Sequence, residues 1–342
     1  MVILALWLAL APPTTEDLVK LGEGLANRGD GKKAQTHLEK ALADPALPSP
    51  LKARAEKALG LALLQMKKPK DAVPHLQKAT ALDAKDEKGW LLLGLAHDAA
   101  EQFPEAIAAF TRGAQAVPKS PTIKHELGMA LLEAGKAEDA AKVLVEATKL
   151  AEQDPELRMD AAYALTTAGK FKEAKEQASL AIALAPEDAD ALYNLGIAES
   201  GLHNAKGAKL ALEKAIEIDE LHVPSLLQLG SVLSQLGDDA TAVKHFNRVL
   251  QVEPDNARAR AGLGAALGKL GSDDVKAQKL LEQTVHVDPK NAQALVLLGD
   301  IAERAGKLDD AIKRWEQVKK LKPADARVKK KLDELKAKKK AK

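Results

Sequence analysis

The sequence predicts an all-α solenoid of about nine helix-turn-helix units with a C-terminal capping helix, and three observations carry that prediction. First, a Leu-Gly or similar small pair recurs along the 342 residues. Its glycine falls at Gly22, Gly60, Gly94, Gly128, Gly196, Gly230, Gly264 and Gly299, with Ala162 standing in once. The successive gaps are 38, 34, 34, 34, 34, 34, 34 and 35 residues. A fixed period in this range belongs to arrays whose units bury their apolar faces only against their neighbours. Second, an alanine follows the pair by twelve residues, and an apolar residue follows that alanine by four, as in Ala72 and Leu76 or Ala106 and Phe110. That spacing keeps both on one helical face. Third, the chain is 46% hydrophobic but only 3% aromatic, so its core must be leucine and alanine packed across small residues.

Aligned on the pair, the units run 15–48, 53–86, 87–120, 121–154, 155–188, 189–222, 223–256, 257–291 and 292–325. Residues 49–52 are extra, and Pro45, Pro48 and Pro50 predict a stiff turn there rather than helix. Gly29, Gly135, Gly169, Gly237, Gly271 and Gly306 stand where a helix C-terminus favours a left-handed residue. Pro118, Pro186, Pro254, Pro289 and Pro323 stop the second helix of their units. The unit 257–291 carries an extra residue near Ser272 and three glycines, Gly262, Gly264 and Gly268, in one helix. It is expected to be the loosest joint. Residues 326–342 read as a solvating cap helix with a Lys-rich tail.

The ends differ in kind from the body. Residues 1–14 open on an unbroken apolar run from Val2 to Ala11, too short to span a bilayer. With Ala9-Leu10-Ala11 supplying small residues, the run fits an export signal or envelope anchor, which favours a periplasmic or envelope location over a cytoplasmic one. The missing Lys or Arg before it leaves a second reading, an apolar segment packed over the first repeat. From Arg327 to Lys342, nine basic residues face two acids, so the tail holds +7 of a total of +2 and the body is mildly acidic.

Catalytic chemistry finds little to stand on. With no cysteine there is no thiolate site. The eight histidines form no i, i+4 metal pair, and His37, His75 and His245 share one offset, which marks them as repeat-surface residues. The run Gly262-Leu263-Gly264-Ala265-Ala266-Leu267-Gly268 imitates a dinucleotide-binding motif but lacks the preceding strand that motif needs. No catalytic residue, metal site, cofactor or small-molecule substrate is expected.

The unit 87–120 shows the fullest pattern: Trp90, Leu93-Gly94, Ala106, Phe110 and Pro118. On these offsets the chain resembles the tetratricopeptide repeat family across residues 15–325. The resemblance implies a right-handed superhelix whose first helices line a concave groove. Carried over offset by offset, it implies His125, Met129 and Glu133, then Met159 and Tyr163, then Tyr193, Asn194 and Ile197, then Leu227, Gln228 and Ser231 as groove residues. Tyrosine and methionine suit adaptable protein contacts, and Asn194 can bond a peptide backbone. The family's carboxylate clamp is absent: Lys57 holds its first site, but Leu61 and Leu92 replace the asparagines, and Thr122 and Glu126 replace the last basic pair. The implied function is a non-catalytic scaffold for a protein or peptide segment. The alternative is an electrostatic tether in which Lys329 to Lys342 meet an acidic lipid, polyanion or nucleic acid. The tail has no aromatic residue for base stacking, which argues against specific nucleic-acid recognition and leaves a weak acidic-surface contact.

Overall fold

The structure, a computed structural model, describes residues 13–341. The apolar run from Met1 to Ala11, with the export role expected of it, lies outside the described residues. Among the described residues there are nineteen helices and no strand. They form two compact units, which divide between Ala168 and Gly169.

The first unit holds α1 (Thr15–Asn27), α2 (Gly31–Leu42), α3 (Ser49–Gln65), α4 (Pro69–Leu82), α5 (Glu87–Ala99), α6 (Phe103–Ala116), α7 (Pro121–Glu133), α8 (Ala137–Leu150) and α9 (Pro155–Thr167). The second holds α10 (Phe171–Leu184), α11 (Ala189–Gly201), α12 (Ala205–Ile218), α13 (Val223–Gln235), α14 (Asp239–Val252), α15 (Ala257–Leu270), α16 (Asp274–Val287), α17 (Ala292–Arg304), α18 (Leu308–Leu321) and α19 (Ala326–Lys340). Many odd-numbered helices begin on a capping side chain, such as Thr14, Ser120, Asp154, Asp188, Asn256 and Asn291, whose oxygen accepts from an N–H of the first turn. At Thr14 the cap is reciprocal, because Asp17 accepts from the Thr14 N–H in return. The proline-rich connection departs from expectation. Helix α3 already starts at Ser49, so residues 49–52 form its first turn, where Pro50 loses no hydrogen bond.

One left-handed residue separates the two helices of each pair. Six of them are glycines, at Gly29, Gly135, Gly169, Gly237, Gly271 and Gly306. The other three are Lys67, Glu101 and His203, at φ 57°, 61° and 59°. The turn is therefore set by the packing of the helices it joins. Where a side chain occupies it, the strain is on the order of 1–2 kcal/mol.

The glycine of the recurring pair has a more specific role than letting two helices approach. It makes room for the apolar side chain sixteen residues later. A Cβ on Gly22, Gly60, Gly94 or Gly128 would collide with Leu38, Leu76, Phe110 or Leu144 respectively. On Gly196, Gly230 and Gly299 it would lie 2.7, 2.8 and 2.6 Å from Leu212, Phe246 and Trp315. Those side chains are buried, as are the alanines four residues before them. In 257–291 the inserted residue shares the place between two side chains, with Leu280 Cβ at 3.0 Å and Leu281 Cγ at 3.3 Å from the Gly264 Cβ position.

The three glycines of α15 are therefore not equivalent. A methyl on Gly262 would meet the Phe246 ring at 2.5 Å, so packing requires that glycine. Gly268 has its nearest neighbours at 3.6 Å, which is ordinary contact. Gly268→Ala is therefore expected to raise stability by about 1 kcal/mol through helix propensity alone. Chemical denaturation of the variant checks this, and a loss of stability would show that the space is not there.

Candidate binding face

Within each unit the helices touch in an unequal way. Helices that follow one another in the same unit pack together. Odd-numbered helices also touch one another: α1 beside α3, α3 beside α5, α5 beside α7 and α7 beside α9. The second unit repeats this with α11 beside α13, α13 beside α15 and α15 beside α17. Among the described residues the even-numbered helices make no such contact with each other. The row whose members crowd together is the inner side of a curved stack, so the odd-numbered helices supply the concave face of each unit.

In the first unit, α7 and α9 carry His125, Met129, Met159 and Tyr163 on this row. His125 Nε2 lies 2.7 Å from Asp160 Oδ2 and ties the two helices together. Met129 follows His125 by one turn, and Met159 precedes Asp160; both are half-buried. Tyr163 is 53% exposed, the most open aromatic surface on this part of the row. The Asp160 carboxylate raises the His125 pKa above its ordinary value, while burial opposes the shift and Glu126 and Asp154 assist it. A raised folded-state value means that the charged pair stabilises fully below the unfolded pKa of about 6.5 and is lost as pH rises through the folded value. Stability measured from about pH 6 to 8 should therefore fall more in the wild type than in His125→Gln. Parallel curves would remove the charged pair from the account.

In the second unit, Tyr193, Asn194 and Ile197 on α11 are half-buried, and so is Gln228 on α13. Tyr193 serves the core as well as the inner row. Its ring packs against buried core residues and meets His222 edge-on, with centroids 5.9 Å apart. His222 sits at the N-cap of α13 and is held by Ser225 Oγ at 2.7 Å and Asp190 Oδ1 at 3.1 Å. The histidine cap brings its ring down onto the tyrosine. Leu227 is 7% exposed and belongs to the core, and Gln228 Nε2 donates to Ser200 Oγ at 3.4 Å. His37, His75 and His245 are likewise half-buried rather than surface residues. Burial, with Arg248 nearby, lowers the His245 pKa, and His75 Nδ1 lies 2.6 Å from the buried Glu56.

A cavity of about 430 Å³ that the repeat offsets do not predict lies farther along the second unit, between α13, α15 and α17. Leu227, Ser231 and Gln235 form one wall, Gln293 and Ala294 the other, and Phe246 and Leu281 lie at its base. The signal was present in Ala261, Gly262 and Ala265, three minimal side chains at lining positions of a single helix.

The basic tail is also more organised than its composition suggests. Lys331 and Lys338 both reach Glu303 at 2.6 Å, Lys336 reaches Glu316 at 2.7 Å, and Lys339 pairs with Asp309. Burial works to raise the Glu303 pKa, but the two ammonium groups outweigh it and leave the carboxyl below its ordinary value. Among the described residues no cluster of His, Asp or Glu is arranged to hold a metal ion, and no helix is long and apolar enough to cross a membrane.

Paired helices, a left-handed turn at a recurring position and a crowded inner row in each unit define a helical-repeat protein, a class that works through the surface it presents. The chain belongs to the tetratricopeptide repeat family. Family models described as tetratricopeptide repeat match residues 19–87, 57–121, 99–162 and 189–220, and that of the cytochrome c-type biogenesis protein H TPR domain matches 210–328. No curated protein matches the chain. Among solved structures, the C-terminal part of a TPR repeat-containing protein from Cytophaga hutchinsonii is 15% identical, with 72% of this chain and 99% of that one covered and a TM-score of 0.57. A tetratricopeptide repeat protein from Parabacteroides merdae is 17% identical, covering 73% and 98%, with a TM-score of 0.54. A chain of the APC/C hetero-tetramer Cut9–Hcn1 is 14% identical, covering 93% and 75%, with a TM-score of 0.58. At these identities the likeness is one of fold.

Proposed function

We propose that this protein is a non-catalytic scaffold that holds a segment of a partner protein against its row of odd-numbered helices. The observation that carries the reading is Tyr163, more than half exposed on the inner row, with Met159 one turn before it and Met129 on the neighbouring helix α7. A large rigid ring with a hydrogen-bonding tip, flanked by adaptable thioethers, has the composition of a protein-binding hot spot. In the second unit Tyr193, Asn194, Ile197, Leu227 and Gln228 would act in the same way, with Leu227 contributing only where the cavity reaches it. The Cut9–Hcn1 assembly lends support by analogy, since a chain of this fold is there part of a complex of different proteins. The rival reading, a charged tether, loses ground because Lys331, Lys336, Lys338 and Lys339 are engaged with acids of the same chain.

Alanine at Tyr163 and Tyr193 together should weaken a partner held on the inner row by about 1–4 kcal/mol while helical content is unchanged. Affinity is compared for the wild type, this double variant and a variant with Lys336, Lys338 and Lys339 changed to Gln. Loss of binding only in the lysine variant would overturn the scaffold reading in favour of the tether.

A further inference from the structure

The geometry points to an anchor pocket in the inner face of the second unit, and we propose that it takes one bulky apolar side chain of a partner polypeptide that carries an acidic residue next to it. The proposal rests on the inner row being the binding face. It adds where along that row a partner is gripped, and by what chemistry.

Helix α15 lacks side-chain bulk where it faces inward. Ala261, Gly262 and Ala265 present at most a methyl each, while α13 on one side keeps Leu227 and Gln235 and α17 on the other keeps Gln293. The gap of about 430 Å³ falls in the size range of pockets that bury a specific ligand group. Its base is apolar: the Phe246 ring can reach under α15 only because residue 262 is glycine, and Leu281 lies beside it. The glycine-rich run is therefore no phosphate cradle. It lies within the hydrogen-bonded body of a helix, where N–H groups are already used, and its effect is to open space.

The polar groups of the wall are largely satisfied within the protein. Ser231 Oγ donates to the Leu227 carbonyl at 3.0 Å, so this hydroxyl does not need a ligand. Lys269 Nζ donates to the Ser234 carbonyl and to Asp239 Oδ1, both at 3.2 Å, which offsets its charge. Arg258 is exposed at the rim and has no ion-pair partner among the described residues. An apolar body beneath one uncompensated guanidinium selects a large apolar side chain flanked by a carboxylate, and it opposes a basic flank.

The test uses the full chain and a capped tetrapeptide of glycine, phenylalanine, aspartate and glycine, followed through the methyl NMR signals of Leu227, Ala265 and Leu281. This probe is expected to shift those signals. Exchanging its phenylalanine for alanine, or its aspartate for lysine, should weaken binding about tenfold or more. Ala265→Leu fills the pocket from α15 and Ser231→Leu fills it from α13. Either should abolish the response with helical content intact, and Arg258→Ser should erase the preference for aspartate over lysine. An unaltered response in both filling variants, or shifts confined to other residues, would overturn the pocket. If the filled variants keep a natural partner that the Tyr163 and Tyr193 double variant loses, the inner-row reading stands and the anchor pocket falls.

Discussion

Leu212→Ala is expected to cost about 2–5 kcal/mol, and adding Gly196→Ala to the same chain is expected to return part of that loss. Leu212 is fully buried, and its Cγ lies 2.7 Å from where a Gly196 Cβ would stand. Truncating the leucine alone leaves a void that the two helices cannot close. Adding the methyl alone forces the leucine aside, at about 1–3 kcal/mol. Together, the new methyl enters the space the leucine vacates. The two changes should therefore fall short of additivity by about 0.5–3 kcal/mol. The chain already contains the combination in sequence: in 155–188 the corresponding positions are Ala162 and Ala178, both fully buried. Denaturation of the wild type, both single variants and the double variant closes the cycle. Strict additivity would show that the glycine serves the backbone and not the leucine.

The second large effect concerns the end of the array. Val328, Leu332 and Leu335 on α19 are 3%, 2% and 0% exposed and pack with Leu295, Trp315 and Val318. Changing Leu332 and Leu335 to Ser keeps every positive charge of the tail but removes two buried side chains, worth about 3–6 kcal/mol together. Helix α19 spans 15 residues, a length at which an isolated helix is marginal in water. Without docking it should unfold and uncover Trp315 and Val318. Hydrogen exchange should then be fast over 326–341, and light scattering should detect association through the bared end. Unchanged protection would mean that the ion pairs to Glu303, Glu316 and Asp309 hold the helix without its leucines.

The repeat, its period and its core stripe were legible because they are written in residue size at fixed spacing. Gly94, Ala106 and Phe110 announce themselves in one dimension. Less legible was anything decided by which side chain meets which. Gly94 reads as a small residue, but only the structure shows that Phe110 occupies its missing methyl. The first turn of α3 was hidden because three prolines mask a helix that tolerates one of them at its start. Lys67, Glu101 and His203 gave no sign of left-handed geometry, since the sequence signals that conformation mainly through glycine. The offset of Tyr193 places it on the inner row, whereas its contact with His222 depends on how the N-terminus of α13 approaches α11. The cavity was readable only as an absence of bulk, which in a leucine-alanine chain resembles the background.

Within either unit, and among the described residues, each helix touches only those one or two places away from it in the chain. No strand or helix must wait for a distant segment, so forming each contact closes only a short loop and the entropy lost is small. Folding can thus begin at any pair and spread to its neighbours while the rest of the chain is still being made. Pulled apart, either unit has no long-range clasp among its described residues to break. It should lengthen by many small yields, one pair after another, as a compliant spring does.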